Sequence, residues 1–194
     1  MPVPAVFVDK DGTLVENVPY NVDPARIRLM PDALEALGTL SRAGFALVVV
    51  SNQPGVALGH FRVEALAGVE RRLRDLLAAG GVRLLGCYFC PHAPAAAAGG
   101  GCACRKPAPG LLVQAAGQHG IDLSASWMVG DILDDVEAGR SAGCHTVLVD
   151  TGGETEWRRS PARTPHVIVN DLRDAARIIG RGAIRGTRHE PSTR

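Results

Sequence analysis

Two carboxylates stand one residue apart in Asp9-Lys10-Asp11-Gly12-Thr13, directly after the apolar run Ala5–Val8. Ser51-Asn52-Gln53 follow a second apolar run, and Gly130-Asp131-Ile132-Leu133-Asp134-Asp135 follow a third. Arg105-Lys106 precede a helical pattern that opens at Pro109. If the runs are strands of one open α/β sheet, residues just past their carboxyl ends converge on one edge, where such sheets bind ligands. Asp9, Asp11 and Asp131 brought together would repel strongly without a cation. A hard, oxygen-seeking ion such as Mg2+ relieves this, taking few protein carboxylates plus water and phosphate oxygens. Lys106 and the Ser51 hydroxyl would then face the other oxygens of a phosphoryl group, with backbone amides of a strand-to-helix turn as further donors. That arrangement suits phosphoryl transfer, where positioning and charge neutralisation supply most of the catalysis. Asp9 is the expected nucleophile, forming an aspartyl-phosphate. Asp11 is the expected acid, then base, for the leaving alcohol and the attacking water. Asp-x-Asp-Gly alone would equally suit a plain turn at a strand end. It is Ser51, Lys106 and Asp131, each in register with its own element, that argue against this.

A second constellation is Cys90-Pro91-His92 and Cys102-Ala103-Cys104, separated by the Ala-, Pro- and Gly-rich stretch 93–101. Cys90, His92, Cys102 and Cys104 form a Cys3His set of the kind that holds a tetrahedral structural zinc. The C-x-H and C-x-C spacings are tighter than those of common fingers, so the spacing argues less than the clustering does. Zinc would close a loop that Ala and Gly cannot hold by packing, and would fix Arg105 and Lys106 beside Cys104. A fully ligated zinc has no open position, so it is not expected to take part in the chemistry. The other two of the five cysteines, Cys87 and Cys144, lie in or beside strand patterns and read as small core residues.

The elements that must position these groups are legible as an alternation. Apolar runs at Ala5–Val8, Phe45–Val50, Leu84–Phe89, Ser126–Val129, Thr146–Val149 and Val167–Val169 lack a polar face, as a sheet covered on both sides requires. Amphipathic stretches at Asp32–Ala43, Val63–Ala79, Pro109–His119, Leu133–Ala142 and Asp171–Ile179 separate them, with Gly44, Gly120 and Gly143 placed to end three helices. The expected fold is α/β, a doubly wound, mainly parallel sheet in a single domain over residues 1–180. From Arg181 the chain carries four Arg and little that is apolar, and residues 181–194 are expected as a disordered basic tail. The 194 residues are 46% hydrophobic and 21% charged, enough for a sizeable core. A net charge of +1 argues against a general nucleic-acid binder. No apolar run reaches the length of a membrane span, and the N-terminus lacks the pattern of a signal peptide. A cytoplasmic protein with reduced cysteines, without nucleic-acid or membrane partners and acting as a monomer, is expected.

These motifs together resemble the haloacid dehalogenase (HAD) superfamily. Asp9-Lys10-Asp11-Gly12-Thr13-Leu14 is similar to its motif I, and Ser51, Lys106 and Gly130-Asp131-x-x-Asp134-Asp135 to motifs II, III and IV. The strings Val49-Val50-Ser51-Asn52-Gln53-Pro54-Gly55, Tyr88-Phe89-Cys90-Pro91-His92 and Cys102-Ala103-Cys104-Arg105-Lys106-Pro107 narrow the resemblance. They point to the subfamily of heptose-1,7-bisphosphate and histidinol-phosphate phosphatases. The resemblance implies a Rossmann-like HAD fold and a Mg2+-dependent phosphatase acting on a small sugar phosphate in heptose precursor synthesis, with Asp9, Asp11 and Asp131 at the Mg2+. It also implies a recognition role for Arg105, and that Lys106 holds the transferring phosphoryl group. Such enzymes often carry a cap domain. Here the segments after Asp9 and after Ser51 have no room for one, so an essentially capless enzyme is expected. The loops bearing Asn17 and Tyr20, Asn52 and Gln53, and Arg105 must then line the substrate pocket with Ser51 and Lys106, although Tyr20 also suits a plain surface position. Two departures bear on the substrate: Ile132 stands where the subfamily commonly has Lys, and Ser51 where Thr is common. Histidinol phosphate is the alternative substrate, and Arg105 favours the bisphosphate. A receiver-type signalling domain shares the acidic residues and the Mg2+, but Asp11 supplies an acid/base group that promotes turnover. A zinc-organised binding module with a dead site is disfavoured because each catalytic position is filled.

Overall fold

The computed structural model describes residues 2–94 and 101–186. The strands are β1 (Ala5–Val8), β2 (Ala46–Asn52), β3 (Gly86–Cys90), β4 (Trp127–Gly130), β5 (His145–Val149) and β6 (Val167–Val169). The helices are α1 (Ala33–Arg42), α2 (Ala65–Ala78), α3 (Gly110–His119), α4 (Leu133–Ser141) and α5 (Leu172–Gly186). All strand pairs are parallel, in the order β3-β2-β1-β4-β5-β6. A parallel pair needs a crossover, and each helix here supplies one or follows the last strand. The chain winds outward from β1 to β3, then returns to lay β4 against the free side of β1. The direction of winding reverses there, and a crevice opens at the carboxyl ends of β1 and β4.

Residues of each strand alternate between two cores. Val6, Val8, Leu47 and Val49 pack on one face against Leu37 and Leu40 of α1, Leu73 and Leu77 of α2, and Ala176 and Ile179 of α5. Ala5, Phe7, Val48 and Val50 pack on the other against Leu111, Leu112 and Ala115 of α3 and Ala138 of α4. This is why the strands read as unbroken apolar runs. In α1 the buried positions Ala33, Ala36, Leu37 and Leu40 follow the i, i+3, i+4, i+7 spacing of a helix with one apolar stripe. Cys144 is buried in the second core and Cys87 packs half-buried on the first, as expected of small core residues.

Two boundaries differ from the sequence expectation in ways that matter. Strand β2 runs on through Ser51 and Asn52, which pair with Phe89 and Cys90. Both residues therefore lie inside the sheet, because the ladder to β3 extends past the apolar run. Cys90, as the last residue of β3, ties one metal-ligand candidate to the same ladder. Helix α5 continues past Arg181 to Gly186, since Arg and Ala are good helix formers and oppose the weaker Gly. Residues 187–194 of the expected basic tail lie outside the described residues, as do 95–100 of the Ala/Gly stretch. A single 3-10 turn, Pro24–Arg26, lies between β1 and α1, and only α2 lies between β2 and β3. The described residues thus contain no cap at either point. None of their helices is long and apolar enough to cross a membrane.

Candidate active site

At the β1/β4 crevice, the Asp9 N–H donates to Val129 O at 2.9 Å, which seats the first residue past β1 against β4. Carboxylate oxygens of Asp9, Asp131 and Asp135 lie within 4.8 Å of one another. The buried Lys106 Nζ pairs with Asp9, stands 2.7 Å from Asp135 Oδ1 and donates to Val50 O at 3.1 Å. Burial pushes the Asp9 carboxyl up to about 7. Lys106 pulls it the other way, while Asp135 and Asp11 add repulsion. Burial raises Asp131 to about 6, and the Asp9 charge adds to it. Burial works against charge on Lys106, but Asp135 and Asp9 outweigh it and hold the ammonium above its usual range. The buried set carries more negative charge than one lysine balances, the condition that favours a bound cation. Asp135 is committed to Lys106 and accepts the Ile132 N–H at 3.3 Å. Asp9 and Asp131 remain as oxygen donors, a set that fits Mg2+.

Asp11, the other expected Mg2+ ligand, has a side chain engaged by two neighbours. Lys10 Nζ pairs with its Oδ1, and Gln53 Nε2 donates to its Oδ2 at 2.9 Å. These partners orient the carboxylate. Gln53 Nε2 also donates to Ser51 Oγ at 2.8 Å, which ties the hydroxyl to the same network. Asn52 has both ends of its amide engaged with the Lys106 main chain: Nδ2 donates to Lys106 O and Oδ1 accepts from Lys106 N, each at 3.0 Å. The strand end thus grips the residue that carries the ammonium.

Asp131 is held closely by Thr13, Gly12 and Gly153. Thr13 Oγ1 donates to its Oδ1 at 3.1 Å. A Cβ added to Gly12, whose φ is +85°, would stand 2.3 Å from Asp131 Oδ2, and one added to Gly153 would stand 2.1 Å from it. Only glycine leaves room for the carboxylate at these two points. Glu154 then docks the segment after β5 on α4, where its Oε2 accepts the Leu133 N–H at 2.8 Å. Sequence reasoning assigned no role to Lys10, Asn52 as a clamp, Asp135, Gly153 or Glu154. Asp135 sat inside the quoted motif IV string, which was the available signal. The others act through partners distant in sequence, and Lys10 reads as a spacer between two aspartates.

The cysteine and histidine candidates meet as expected. Five contacts among Cys90 Sγ, His92 Nδ1, Cys102 Sγ and Cys104 Sγ span 3.2–3.6 Å. A tetrahedron with such edges has its centre about 2.1 Å from each corner, close to zinc–nitrogen and zinc–sulfur bond lengths. The donor chemistry and the spacing both fit Zn2+. Burial acts against ionisation of Cys102, but the Arg105 N–H and the neighbouring thiols outweigh it and draw the group down to about 6. The Arg105 N–H donates to Cys102 Sγ at 3.3 Å, and the Arg105 guanidinium to His92 O at 3.4 Å. The cluster therefore connects directly to Arg105-Lys106.

The remaining candidates are more exposed. Tyr20, at φ +53°, stacks on His60 with ring centroids 4.1 Å apart, which joins the loop after β1 to the loop after β2. Asn17 is exposed on the first of these loops.

Residues 103–175 match a family model described as HAD-hydrolase-like. The D-glycero-beta-D-manno-heptose-1,7-bisphosphate 7-phosphatase of Pseudomonas aeruginosa is 39% identical over 175 residues, covering 90% of this chain and 96% of that protein. The D-glycero-D-manno-heptose-1,7-bisphosphate 7-phosphatase of Thermosynechococcus vestitus is 38% identical over 189 residues, covering 92% and 96%. The crystal structure of the D,D-heptose 1,7-bisphosphate phosphatase of B. bronchiseptica, complexed with magnesium and phosphate, superposes with a TM-score of 0.78. It is 30% identical and covers 92% of this chain and 99% of that one. With identity of this extent, and with the carboxylates, lysine and Cys3His cluster arranged as described, the chain belongs to the haloacid dehalogenase superfamily, in its heptose-bisphosphate phosphatase family.

Proposed function

We propose that this protein is a Mg2+-dependent phosphatase that removes the 7-phosphate of D-glycero-D-manno-heptose 1,7-bisphosphate. The observation that carries the reading is the union of Asp9, Lys106 and Asp131 at the β1/β4 crevice, on a chain 38–39% identical to named heptose-bisphosphate phosphatases over 96% of their length. The β anomer is expected, following the Pseudomonas relative. Bound at Asp9, Asp11 and Asp131, Mg2+ would neutralise charge on the phosphoryl oxygens and lessen repulsion of the attacking carboxylate. Asp9 then attacks phosphorus, and the bond to the sugar oxygen breaks as the aspartyl-phosphate forms. Asp11, oriented by Lys10 and Gln53, gives its proton to the leaving alcohol. It next takes a proton from water, which attacks phosphorus and returns Asp9. Lys106 and the Ser51 hydroxyl hold phosphoryl oxygens, with Lys106 kept charged by Asp135 and placed by Asn52. Asn17, Tyr20, Gln53 and Arg105 are assigned to the sugar and its second phosphate. Zn2+ at Cys90, His92, Cys102 and Cys104 is assigned a structural role, and the enzyme is read as a cytoplasmic monomer.

The test is phosphate release with Mg2+ from both anomers of the heptose bisphosphate, fructose 1,6-bisphosphate and histidinol phosphate. Preference for one heptose anomer, abolished by Asp9→Asn, is the expected result. Preference for histidinol phosphate would replace the substrate assignment, and a stable phosphorylated Asp9 without turnover would replace the enzyme with a receiver.

A further inference from the structure

Of the 21 lysine and arginine residues in the chain, only Lys10 and Lys106 are lysines. Both are buried, each 2% exposed. Each pairs with one aspartate of Asp9-Lys10-Asp11: Lys106 with Asp9, and Lys10 with Asp11. Elsewhere the chain uses arginine for every side chain of fixed positive charge. An ammonium is a compact point charge on a flexible stem, whereas a guanidinium is a wide planar fork. The compact cation is thus kept only where it meets a catalytic carboxylate. The turn that carries Lys10 does not need its side chain, because main chain closes it: Lys10 O accepts the Leu14 N–H at 3.0 Å and the Val15 N–H at 2.8 Å. Nor does a buried ion pair add much stability, since desolvation offsets the attraction and a well-packed apolar side chain does as well or better. What the buried ammonium contributes must therefore be sought in the reaction.

The two oxygens of Asp11 are not equivalent. Oδ1 faces the Lys10 ammonium, a group that has donors only. Oδ2 accepts from Gln53 Nε2 at 2.9 Å, and the same Nε2 stands 2.8 Å from Ser51 Oγ. Oδ2 is thus the oxygen on the side of the hydroxyl assigned to the phosphoryl group. The Asp11 side chain is 28% exposed beside a lysine that is 2% exposed, so the carboxylate is the open end of the pair.

We infer that Lys10 is a positioning residue for the acid and base steps: by holding Oδ1 it makes Oδ2 the oxygen of Asp11 that gives and takes the proton. A carboxylic O–H donates one hydrogen bond and still accepts another. Protonated Oδ2 therefore keeps the Gln53 N–H while its own proton passes to the sugar oxygen, as the bond from that oxygen to phosphorus breaks. Ionised Oδ2 then takes a proton from water. The water oxygen bonds phosphorus, the bond from phosphorus to Asp9 breaks, and Asp11 is protonated for the next ester. Lys10 keeps the carboxylate from turning over between the two steps. The inference rests on the proposed phosphatase reaction.

The experiment is a double-mutant cycle. kcat and KM are measured at saturating Mg2+ for wild type, Lys10→Met, Asp11→Asn and the double variant, on the heptose bisphosphate and on p-nitrophenyl phosphate. Lys10→Met should lower kcat on the heptose ester about ten- to hundredfold with KM little changed, the order of loss for a misplaced catalytic group. The loss should be much smaller on p-nitrophenyl phosphate, whose leaving group needs no proton. In Asp11→Asn the same substitution should add almost nothing, because residues that act through one another are not additive. Denaturant unfolding should find Lys10→Met at least as stable as wild type. Lys10→Arg keeps the charge and should restore part of the rate. Lys10→Gln, neutral but still a donor, replaces Lys10→Met in the cycle should that variant not fold. A wild-type kcat in Lys10→Met, losses that multiply with those of Asp11→Asn, or a less stable variant equally slow on both esters overturns the inference and leaves the proposed function standing. A wild type active on histidinol phosphate but not on the heptose overturns the substrate instead, and the cycle run on that ester still decides the role of Lys10.

Discussion

Asp11 and Asp9 sit one residue apart and are treated differently by their surroundings. Asp9 is buried against Lys106, while Asp11 is partly open and held by Lys10 and Gln53. A nucleophile must reach phosphorus, whereas an acid must reach the leaving oxygen, so the two environments match two tasks. Asp11→Asn keeps the shape and removes the proton. Its rate on the heptose ester should fall about 10²–10⁴-fold. With p-nitrophenyl phosphate, whose leaving group needs no proton, the fall should be much smaller. Equal losses on both substrates in steady-state assays would remove Asp11 from the acid role.

At the scale of elements, the segment after β5 and the zinc-type loop are the two pieces that bring distant chain to the crevice. The first presses Gly153 against Asp131 and anchors Glu154 on the start of α4. Gly153→Ala puts a methyl group where Asp131 Oδ2 lies. Mg2+ affinity, followed by the thermal shift on adding Mg2+, should weaken at least tenfold, the order expected for disturbing the support of a metal ligand. The loop from Cys90 to Cys104 delivers Arg105-Lys106, and Asn52 receives Lys106 by two main-chain hydrogen bonds. Removing zinc with a chelator and then restoring Mg2+ in excess should still leave phosphate release abolished while far-UV circular dichroism stays near native, because both cores lie on the sheet and its helices. A thiol reagent should then titrate Cys90, Cys102 and Cys104 faster than in the zinc-loaded protein. Loss of secondary structure in step with zinc would make the metal a folding element for the whole sheet. Within the cores, Leu73→Ala, at a side chain with no exposed surface, should cost about 3 kcal/mol in denaturant unfolding.

Across the whole molecule, function is maintained at a cost in stability. Asp131 ordinarily titrates at 3.8 and is raised to about 6 by burial and by Asp9. The native state then binds a proton that the unfolded chain has released. For the metal-free protein this contribution lowers stability as pH rises from about 4 to about 6, after which it is constant. Asp131→Asn removes it, and keeps an oxygen for Thr13. The chelator-treated variant should exceed wild type in stability at pH 7 by up to about 3 kcal/mol, a gain that fades toward pH 4. Added Mg2+ should reverse the order, because only wild type binds it well. A variant less stable than wild type at pH 7 without metal would mean that Asp131 is held by contacts stronger than the repulsion.

The chemistry was legible in the sequence because its parts are local. Asp9 and Asp11, the Cys-x-His and Cys-x-Cys pairs, and the apolar runs each fall within a few residues, where spacing alone dictates neighbours. Strand and helix alternation was legible too, since a sheet buried on both faces demands runs such as Val48–Val50. Boundaries were less so: Ser51 and Asn52 look like loop residues until β3 is present to pair with them. What only the tertiary structure decided is which distant residues meet. The strand order that lays β4 against β1 brings Asp131 to Asp9, the Asn52 clamp spans β2 and the Lys106 turn, and Gly153 and Glu154 reach the crevice from beyond β5. Hydrogen bonds and ion pairs across such separations depend on how helices and sheet pack. No periodicity in the chain encodes a contact between residues that become neighbours only when two cores close around one sheet.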